Sequence, residues 1–238
     1  MVQANPWRSV ARTDTGNVRA RNEDAFLDCP QRGLWAVADG MGGHQCGDVA
    51  SQLIVTHLGE LPEVGSFDEG VIAVRQCLHW LNRRMSQELT ITPERRDNIM
   101  GSTVVALLIE GNRGACVWAG DSRCYLLRKG RLHQLTRDHC VLEELIEEQK
   151  MSPEKARIHP NAYALTRAIG VGDPLQLEVM ELEVFAGDVF LLCSDGFYQD
   201  LENDVLRDTL SLEAFHTLFD AVLGSRALDN LTAVVISQ

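Results

Sequence analysis

The chain has 238 residues, of which 45% are hydrophobic, and its 22 Lys and Arg against 34 Asp and Glu give a formal net charge of −12. A chain of this length and composition can bury one continuous core, which excludes disorder and collagen-like repetition and predicts a single domain over residues 1–238. The excess negative charge disfavours binding to nucleic acid. Carboxylates gathered in one place can instead bind hard divalent cations.

No apolar run is long enough for the core of a signal peptide or for a membrane span, so we expect a cytoplasmic protein that does not bind membranes. The seven cysteines form no Cys-x-x-Cys pair, and their spacings are too irregular for a zinc framework. They are expected to be free, buried thiols in a reducing compartment.

Short β-rich runs alternate with helical segments along the chain. Strands are predicted at 25–28, 34–38, 103–109, 115–119, 124–127, 132–135, 177–184, 189–193 and 231–236. Short, glycine-containing connections at 110–114 and 128–131 are typical of hairpins, so the sheets are expected to be largely antiparallel. This pattern argues against a doubly wound nucleotide-binding fold.

Helical periodicity covers 48–58 and 67–89 in the first half of the chain and 202–209 and 212–223 near its end. Residues 139–160 are charged and helical and interrupt two strand regions, so we interpret them as a small flap, with an ordinary surface helix pair as the alternative. The expected fold class is α+β: a four-layer α-β-β-α sandwich of two largely antiparallel sheets flanked by helices, with a small helical flap.

Four acidic places stand at predicted strand ends beside turn residues, namely Asn22-Glu23-Asp24, Asp39-Gly40, Asp195-Gly196 and Asp229-Asn230. A strand that ends in Asp-Gly can direct its carboxylate past the edge of the sheet, because glycine lets the backbone turn. One Asp-Gly alone is more often only a turn. Carboxylates that follow apolar strands are costly to bury unless they are paired or bind metal, so their repetition predicts a shared cation site.

Other nucleotide and catalytic signatures fail on inspection. The glycine loop has Gln45 where a dinucleotide fingerprint needs its last glycine, and Asp48 where a P-loop needs lysine. Serine-hydrolase and zincin motifs are lacking in the sequence. Among the seven histidines, only His44 in the glycine loop is left open as a functional residue.

Nine short motifs follow one another along the chain: Gly16-x-x-Arg19-x-x-Asn22-Glu23-Asp24, Asp39-Gly40-Met41-Gly42-Gly43, Gly101-Ser102-Thr103, Gly120-Asp121-Ser122-Arg123, Leu135-Thr136-x-Asp138-His139, His159-Pro160, Leu165-Thr166-Arg167-Ala168-Ile169-Gly170, Ser194-Asp195-Gly196 and Asp229-Asn230-Leu231-Thr232. This ordered set resembles the bacterial branch of the metal-dependent serine/threonine protein phosphatases, the PPM or type 2C family. The matching segments span nearly the whole chain.

The resemblance implies two Mn²⁺ or Mg²⁺ ions in the active site. Asp39, Asp195 and Asp229 would hold one ion, and Asp39 would bridge to the second. The Gly40 carbonyl and Glu23, directly or through water, would complete the second site. Two such cations about 3.5 to 4 Å apart supply a bridging hydroxide for in-line attack, so no protein nucleophile is required.

The resemblance also assigns residues around this pair. Asp121 matches a third, weaker metal site, which stays open, and supporting roles fall to Asp24, Asn230 and Asp138. For Asp138, a helix cap ahead of residue 141 is the alternative. Arg19 matches the phosphate-binding arginine, because it stands four residues before the acidic pair 23–24.

The chain departs from the family pattern at three places. Met41 stands where eukaryotic members carry a histidine, so the general acid is unassigned, with metal-bound water or His44 as candidates. Ser102 replaces the commoner threonine. Asn161 and Tyr163 lie where an Arg-Asn pair is often found, which affects the inner wall of the flap rather than the metal centre.

The expected function is therefore the hydrolysis of phosphoserine and phosphothreonine in proteins, opposing a serine/threonine kinase. The alternative is a catalytically inactive module that binds phosphoproteins; inactive relatives usually lose a metal ligand, whereas every expected acidic position is present. The motifs reach close to both ends of the chain, so a fused sensor domain is not expected and the partner would be a separate protein. A kinase, a forkhead-associated protein or a type VI secretion protein is the expected partner, and the chain is expected to be a monomer.

Overall fold

The computed structural model describes residues 7–42, 46–89 and 100–238. The strands are β1 (Arg8–Asp14), β2 (Asp24–Cys29), β3 (Leu34–Met41), β4 (Gly101–Ser102), β5 (Val104–Glu110), β6 (Arg113–Ala119), β7 (Arg123–Arg128), β8 (Arg131–Gln134), β9 (Glu178–Glu183), β10 (Val189–Cys193) and β11 (Leu231–Ser237). The helices are α1 (Gly47–Gly59), α2 (Phe67–Arg83), α3 (Val141–Glu147), α4 (Pro153–Arg157), α5 (Asp195–Tyr198), α6 (Asn203–Thr209) and α7 (Phe215–Leu223).

The strands form two antiparallel sheets. One has the order β1-β11-β10-β7-β8, and the other has the order β2-β3-β5-β6-β9, with β4 paired to β3. Each predicted strand is present, with its ends within three residues of the expected positions. Both predicted hairpins form, β5 with β6 and β7 with β8.

Alternation along the central strands sends side chains to two different apolar layers. In β3, Trp35 and Val37 pack between the two sheets, whereas Ala36 and Ala38 pack under α1 and α2. The same alternation along β11 places Val234 between the sheets and Val235 under α5, α6 and α7. The predicted four-layer α-β-β-α sandwich is therefore confirmed.

Three elements were not predicted: β1, the two-residue strand β4 that pairs with the end of β3, and α5. Strand β1 has a polar sequence without clear alternation, but it needs only one neighbour, β11, because it lies at the edge of its sheet. Helix α5 is a single turn that begins at Asp195, directly after β10, where we expected only a turn. The predicted helix at 67–89 begins as expected, and its last residues form a π-helical segment, Arg84–Leu89.

The predicted flap at 139–160 contains α3 and α4. Its two ends are joined by a short antiparallel pairing, in which the Val141 N–H donates to the Ala164 carbonyl at 3.0 Å and the Thr166 N–H donates to the His139 carbonyl at 2.9 Å. The flap is therefore a helical loop with a hydrogen-bonded base.

The seven cysteines are free, as expected; all are buried except Cys77, which is half-buried. Within residues 7–42, 46–89 and 100–238, no helix has both the length and the apolar character to cross a bilayer.

Candidate active site

One cavity of about 550 Å³ collects carboxylates from distant parts of the chain. Its wall includes the predicted site residues Arg19, Glu23, Asp39, Gly40, Asp121, Asp195, Asp229 and Asn230. The carboxylates come from β3, from the first residue of α5, from the β6–β7 turn and from the residues just before β2 and β11. Strand ends from both sheets therefore place five carboxylates around one space.

Gly40 allows the chain to pass close to Glu23. A Cβ atom at Gly40 would lie 2.0 Å from the Gly47 carbonyl oxygen and 2.6 Å from that of Glu23. The Gly40 N–H donates to the Glu23 carbonyl at 3.0 Å. Only glycine fits here, and its presence brings Glu23, Asp39 and the start of α1 together.

Two hydroxyl residues hold the main chain of Asp39. The Thr103 Oγ1 accepts from the Asp39 N–H at 3.1 Å, and the Ser102 Oγ donates to the Asp39 carbonyl at 2.9 Å. Serine at position 102 keeps the hydroxyl that this contact requires, so the departure from threonine leaves it intact. The sequence motif marked both residues but not what they contact.

Asn230 organises the loop that carries Arg19. Its Oδ1 accepts from the Glu23 N–H at 2.8 Å, and its Nδ2 donates to the carbonyls of Thr15 and Arg21 at 2.9 and 2.8 Å. One side chain thus fixes the loop between β1 and β2 at both ends, which supports the predicted supporting role.

Asp24 lies behind the cavity wall and is only 4% exposed. Its Oδ2 accepts from the Ser194 hydroxyl at 2.7 Å, while its Oδ1 is buried without a hydrogen-bond partner among the described residues. Burial raises the pKa of Asp24 to about 7. An unpartnered buried carboxylate oxygen is costly and indicates a missing cation or polar group.

The other carboxylates raise one another's pKa. Burial raises the pKa of Asp39 well above its usual range, and the charges of Asp24 and Asp195 add to this effect. Burial and then the Asp195 charge raise the pKa of Asp121 to about 7. The pKa of Asp195 is also raised, by burial and by Asp229. The cavity therefore concentrates negative charge that bound cations would stabilise.

Arg19 and Arg21 are the cationic residues of the cavity wall. The Arg19 Nη2 donates to the Asp229 Oδ2 at 2.5 Å. This hydrogen bond raises the pKa of Arg19, and burial, which lowers the pKa, offsets only part of the rise. The Arg21 Nη1 lies 3.9 Å from the Asp48 Oδ2, so its ion-pair partner is on α1 rather than among the central carboxylates. Arg19 is thus the arginine that reaches the acidic group.

Asp138 lies outside the cavity wall. Both of its oxygens accept from Arg123, from Nε at 2.9 Å and from Nη2 at 2.7 Å. Asp138 does not cap a helix, which was the alternative role for it, because the N-cap of α3 is Cys140 and the cap has no side-chain hydrogen bond. The candidate residues Gly43 and His44 lie outside the described residues.

The donor set fits hard divalent cations, because all of the candidate side-chain ligands are carboxylates. Among residues 7–42, 46–89 and 100–238, however, no three His, Cys, Asp or Glu side chains form a ready-made metal cluster. The fit rests on the chemistry of the donors, on their crowded charges and on the unpartnered Asp24 oxygen.

Sequence reasoning left out two residues near the site. Tyr163 follows the flap, lines the cavity and is 70% exposed. Tyr198 donates to the main-chain carbonyl of Asp121 at 3.0 Å. Tyr163 appeared only as a departure from the family pattern, and no sequence signal marked Tyr198.

Comparison with known proteins gives consistent results. A family model for Protein phosphatase 2C matches residues 9–213. The serine/threonine protein phosphatase PstP of Mycobacterium tuberculosis is 35% identical over 232 residues, which are 96% of this chain and 44% of PstP. The chain thus spans less than half the length of that relative.

Two solved structures superpose on nearly the whole chain. PppA of Pseudomonas aeruginosa, described as a key regulatory component of the type VI secretion system, has a TM-score of 0.87 and 42% identity, covering 97% of both chains. The catalytic domain of PstP in complex with two manganese ions has a TM-score of 0.80 and 35% identity, also covering 97% of both chains. The resemblance inferred from the motifs is confirmed, and the chain belongs to the protein phosphatase 2C family of serine/threonine protein phosphatases.

Proposed function

We propose that this chain hydrolyses phosphoserine and phosphothreonine in proteins with two divalent cations, Mn²⁺ or Mg²⁺. The observation that carries the proposal is the single cavity in which carboxylates from separate segments lie beside Arg19. Asp39, Asp195 and Asp229 would hold one ion, and Asp39, Glu23 and the Gly40 carbonyl would hold the other. The similarity to a phosphatase domain that binds two manganese ions supports this assignment.

The cations would supply a hydroxide at neutral pH and offset the charge of the transferred phosphoryl group. The chain's own residues position the cation ligands. Ser102, Thr103 and Asn230 fix the backbone of the ligand-bearing segments through the hydrogen bonds described above. Reacting groups held in place in this way lose little freedom when the substrate binds.

Arg19 would bind the phosphate. Its guanidinium has five N–H donors in a planar fork, and the contact with Asp229 uses one of them. The Arg19 side chain is 56% exposed, so a phosphorylated side chain can reach it from solvent. A bidentate contact to two phosphoryl oxygens would orient the phosphate towards the carboxylates.

The flap would select the protein substrate. Tyr163 and Leu165, which follow the flap, form part of the cavity wall. A loop next to a rigid site is where specificity residues are usually found. The exposed Tyr163 ring is available to the residues that flank the phosphorylated side chain.

The similarity to PppA supports a role in the regulation of type VI secretion. The opposing serine/threonine kinase is a prediction from the sequence. A forkhead-associated partner, a monomeric state and a cytoplasmic location remain predictions from the sequence.

Divalent cations are expected to stabilise the folded protein. At a metal concentration 100 times Kd, the gain is about 2.7 kcal/mol, or roughly 5 to 10 °C in Tm for a chain of this size. Asp39→Asn should raise the Tm of the metal-free protein at about pH 8 and should abolish most of the metal-induced shift. Burial raises the pKa of Asp39 above its unfolded value, so at a pH above the unfolded value this carboxyl destabilises the fold, and Asn removes that cost. Calorimetry with and without Mn²⁺ measures both effects; Asp220→Asn, at an exposed carboxylate paired with Arg12, is the control and should keep the full shift.

Asp195→Asn is expected to lower the hydrolysis of a phosphothreonine peptide by about a thousandfold, because it removes a cation ligand. Phosphate release with Mn²⁺ measures the rate, and Asp200→Asn, at an exposed carboxylate just beyond α5, should retain wild-type turnover. Wild-type protein that binds the phosphopeptide without hydrolysing it would instead support the inactive binding module.

The two arginines of the cavity should differ. Arg19→Ala is expected to lower kcat/KM about 10- to 150-fold, the value of losing charge-assisted hydrogen bonds to phosphate, whereas Arg21→Ala should change it by less than about threefold. Arg19→Lys keeps the charge but loses the fork and should recover only part of the rate. An equal or larger loss for Arg21→Ala would show that Arg21, and not Arg19, is the phosphate-binding residue.

Shortening the flap tests its role in substrate choice. Residues 143–160 can be replaced by an Asn-Gly turn, which keeps the paired base at 139–142 and 162–166. We expect the relative rates on different phosphopeptides to change by more than the rate on a small aryl phosphate. Equal losses on peptide and aryl substrates would argue against a role in specificity.

A further inference from the structure

Tyr198 joins two segments that carry carboxylates of the cavity. It is the last residue of α5, the single-turn helix that begins with Asp195. Its hydroxyl donates to the main-chain carbonyl of Asp121, in the β6–β7 turn, at 3.0 Å. One side chain therefore ties the helix of Asp195 to the turn of Asp121, and both carboxylates line the cavity.

Arg123 holds the Tyr198 ring in place. The centre of the guanidinium lies 3.7 Å from the ring centroid. Arg123 is itself fixed, because Asp138 accepts from Nε and Nη2 and the Tyr125 hydroxyl accepts from Nη1 at 2.9 Å. Burial and the nearby charge of Asp121 raise the pKa of Tyr198, so its hydroxyl keeps its proton and remains a donor.

The turn around Asp121 is held on both sides as well. The Gly120 N–H donates to the His139 Nδ1 at 3.1 Å, and the His139 N–H donates to the Gly120 carbonyl at 2.9 Å. The hydroxyls of Ser122 and Thr103 are 2.7 Å apart. Gly120 has a φ of +113°, which a side chain would strain. The Tyr198 contact thus adds to the hydrogen bonds that fix the β6–β7 turn on both sides of Asp121.

We propose that Tyr198 is a positioning residue, which fixes the Asp121 carboxylate relative to Asp195 and thereby sets how tightly Asp121 helps to bind a cation in the cavity. This inference rests on the proposed metal-dependent function. Without the hydroxyl, the Asp121 carbonyl loses its link to α5, and the carboxylate samples more positions before a cation binds. The cost falls on cation binding at Asp121 rather than on the fold.

The test compares Tyr198→Phe with Tyr125→Phe in the full chain. Each variant removes one tyrosine hydroxyl near Arg123, but only the first removes a bond to the Asp121 turn. Calorimetric titration with Mn²⁺ gives the binding steps, and Asp121→Asn identifies the step that depends on Asp121. Hydrogen exchange of the amides at 120–122 reports the order of the turn without any metal.

We expect Tyr198→Phe to weaken the Asp121-dependent step about 2- to 10-fold, the effect of one hydrogen bond, and to speed up exchange at 120–122. Tyr125→Phe removes only a bond to Arg123 and should change both measurements by less than Tyr198→Phe does. The inference is overturned if Tyr198→Phe changes neither measurement, if Tyr125→Phe causes the same changes, or if Asp121→Asn alters no binding step. Wild-type protein that binds no Mn²⁺ at all would overturn the proposed function together with the inference.

Discussion

The repulsion between carboxylates confined in one poorly solvated cavity is the constraint on which the rest of the structure depends. Burial raises the pKa of Asp39 well above its usual range and that of Asp121 to about 7, and it also raises the pKa of Asp24, just behind the cavity wall, to about 7. Separating these groups would relieve the strain, yet they stand on strand ends whose pairing cannot shift without breaking two sheets. The favourable way to stabilise the arrangement is positive charge inside the cavity, from cations and from Arg19.

The fold keeps the carboxylates together by holding their backbones rather than their side chains. Asn230 anchors Glu23, Thr103 anchors Asp39, and Tyr198 anchors Asp121, each through a main-chain atom. The side-chain oxygens of these three carboxylates are not used by the anchoring contacts and stay available to ligands. The oxygens of Asp195 and Asp229, in contrast, accept from Gln199, from Arg19 and from the Asn230 N–H. A cation that binds there meets donors whose positions are set in advance, so little ordering has to accompany binding.

Much of this could be predicted from the sequence, and the exceptions have physical reasons. The continuous apolar runs of β3 and β11 and the glycine-containing hairpins indicated both sheets, because strands that are buried on both faces are apolar along nearly their whole length. Strand β1 was not predicted, because an edge strand needs few hydrophobic residues and therefore leaves little pattern in the sequence. The acidic strand ends indicated four of the five carboxylates of the cavity, because charge next to apolar strands is unusual. The fifth, Asp121, was indicated only by the family resemblance. Tyr198 could not be found in this way, because an aromatic residue after Asp-Gly-Phe looks like ordinary core and its partner is 77 positions away.

The contrast between the sheets and the flap explains how one site can be both fixed and adaptable. The ligand-bearing segments are held by strand pairing and by buried hydroxyl and amide contacts, which open only when large parts of the fold open. The flap is joined through a short base, and the segment that follows it places an exposed tyrosine at the cavity wall. If the flap selects the substrate as proposed, changes in it would alter which phosphoprotein is accepted without moving the carboxylates, so that substrate choice and the chemistry of hydrolysis could vary independently.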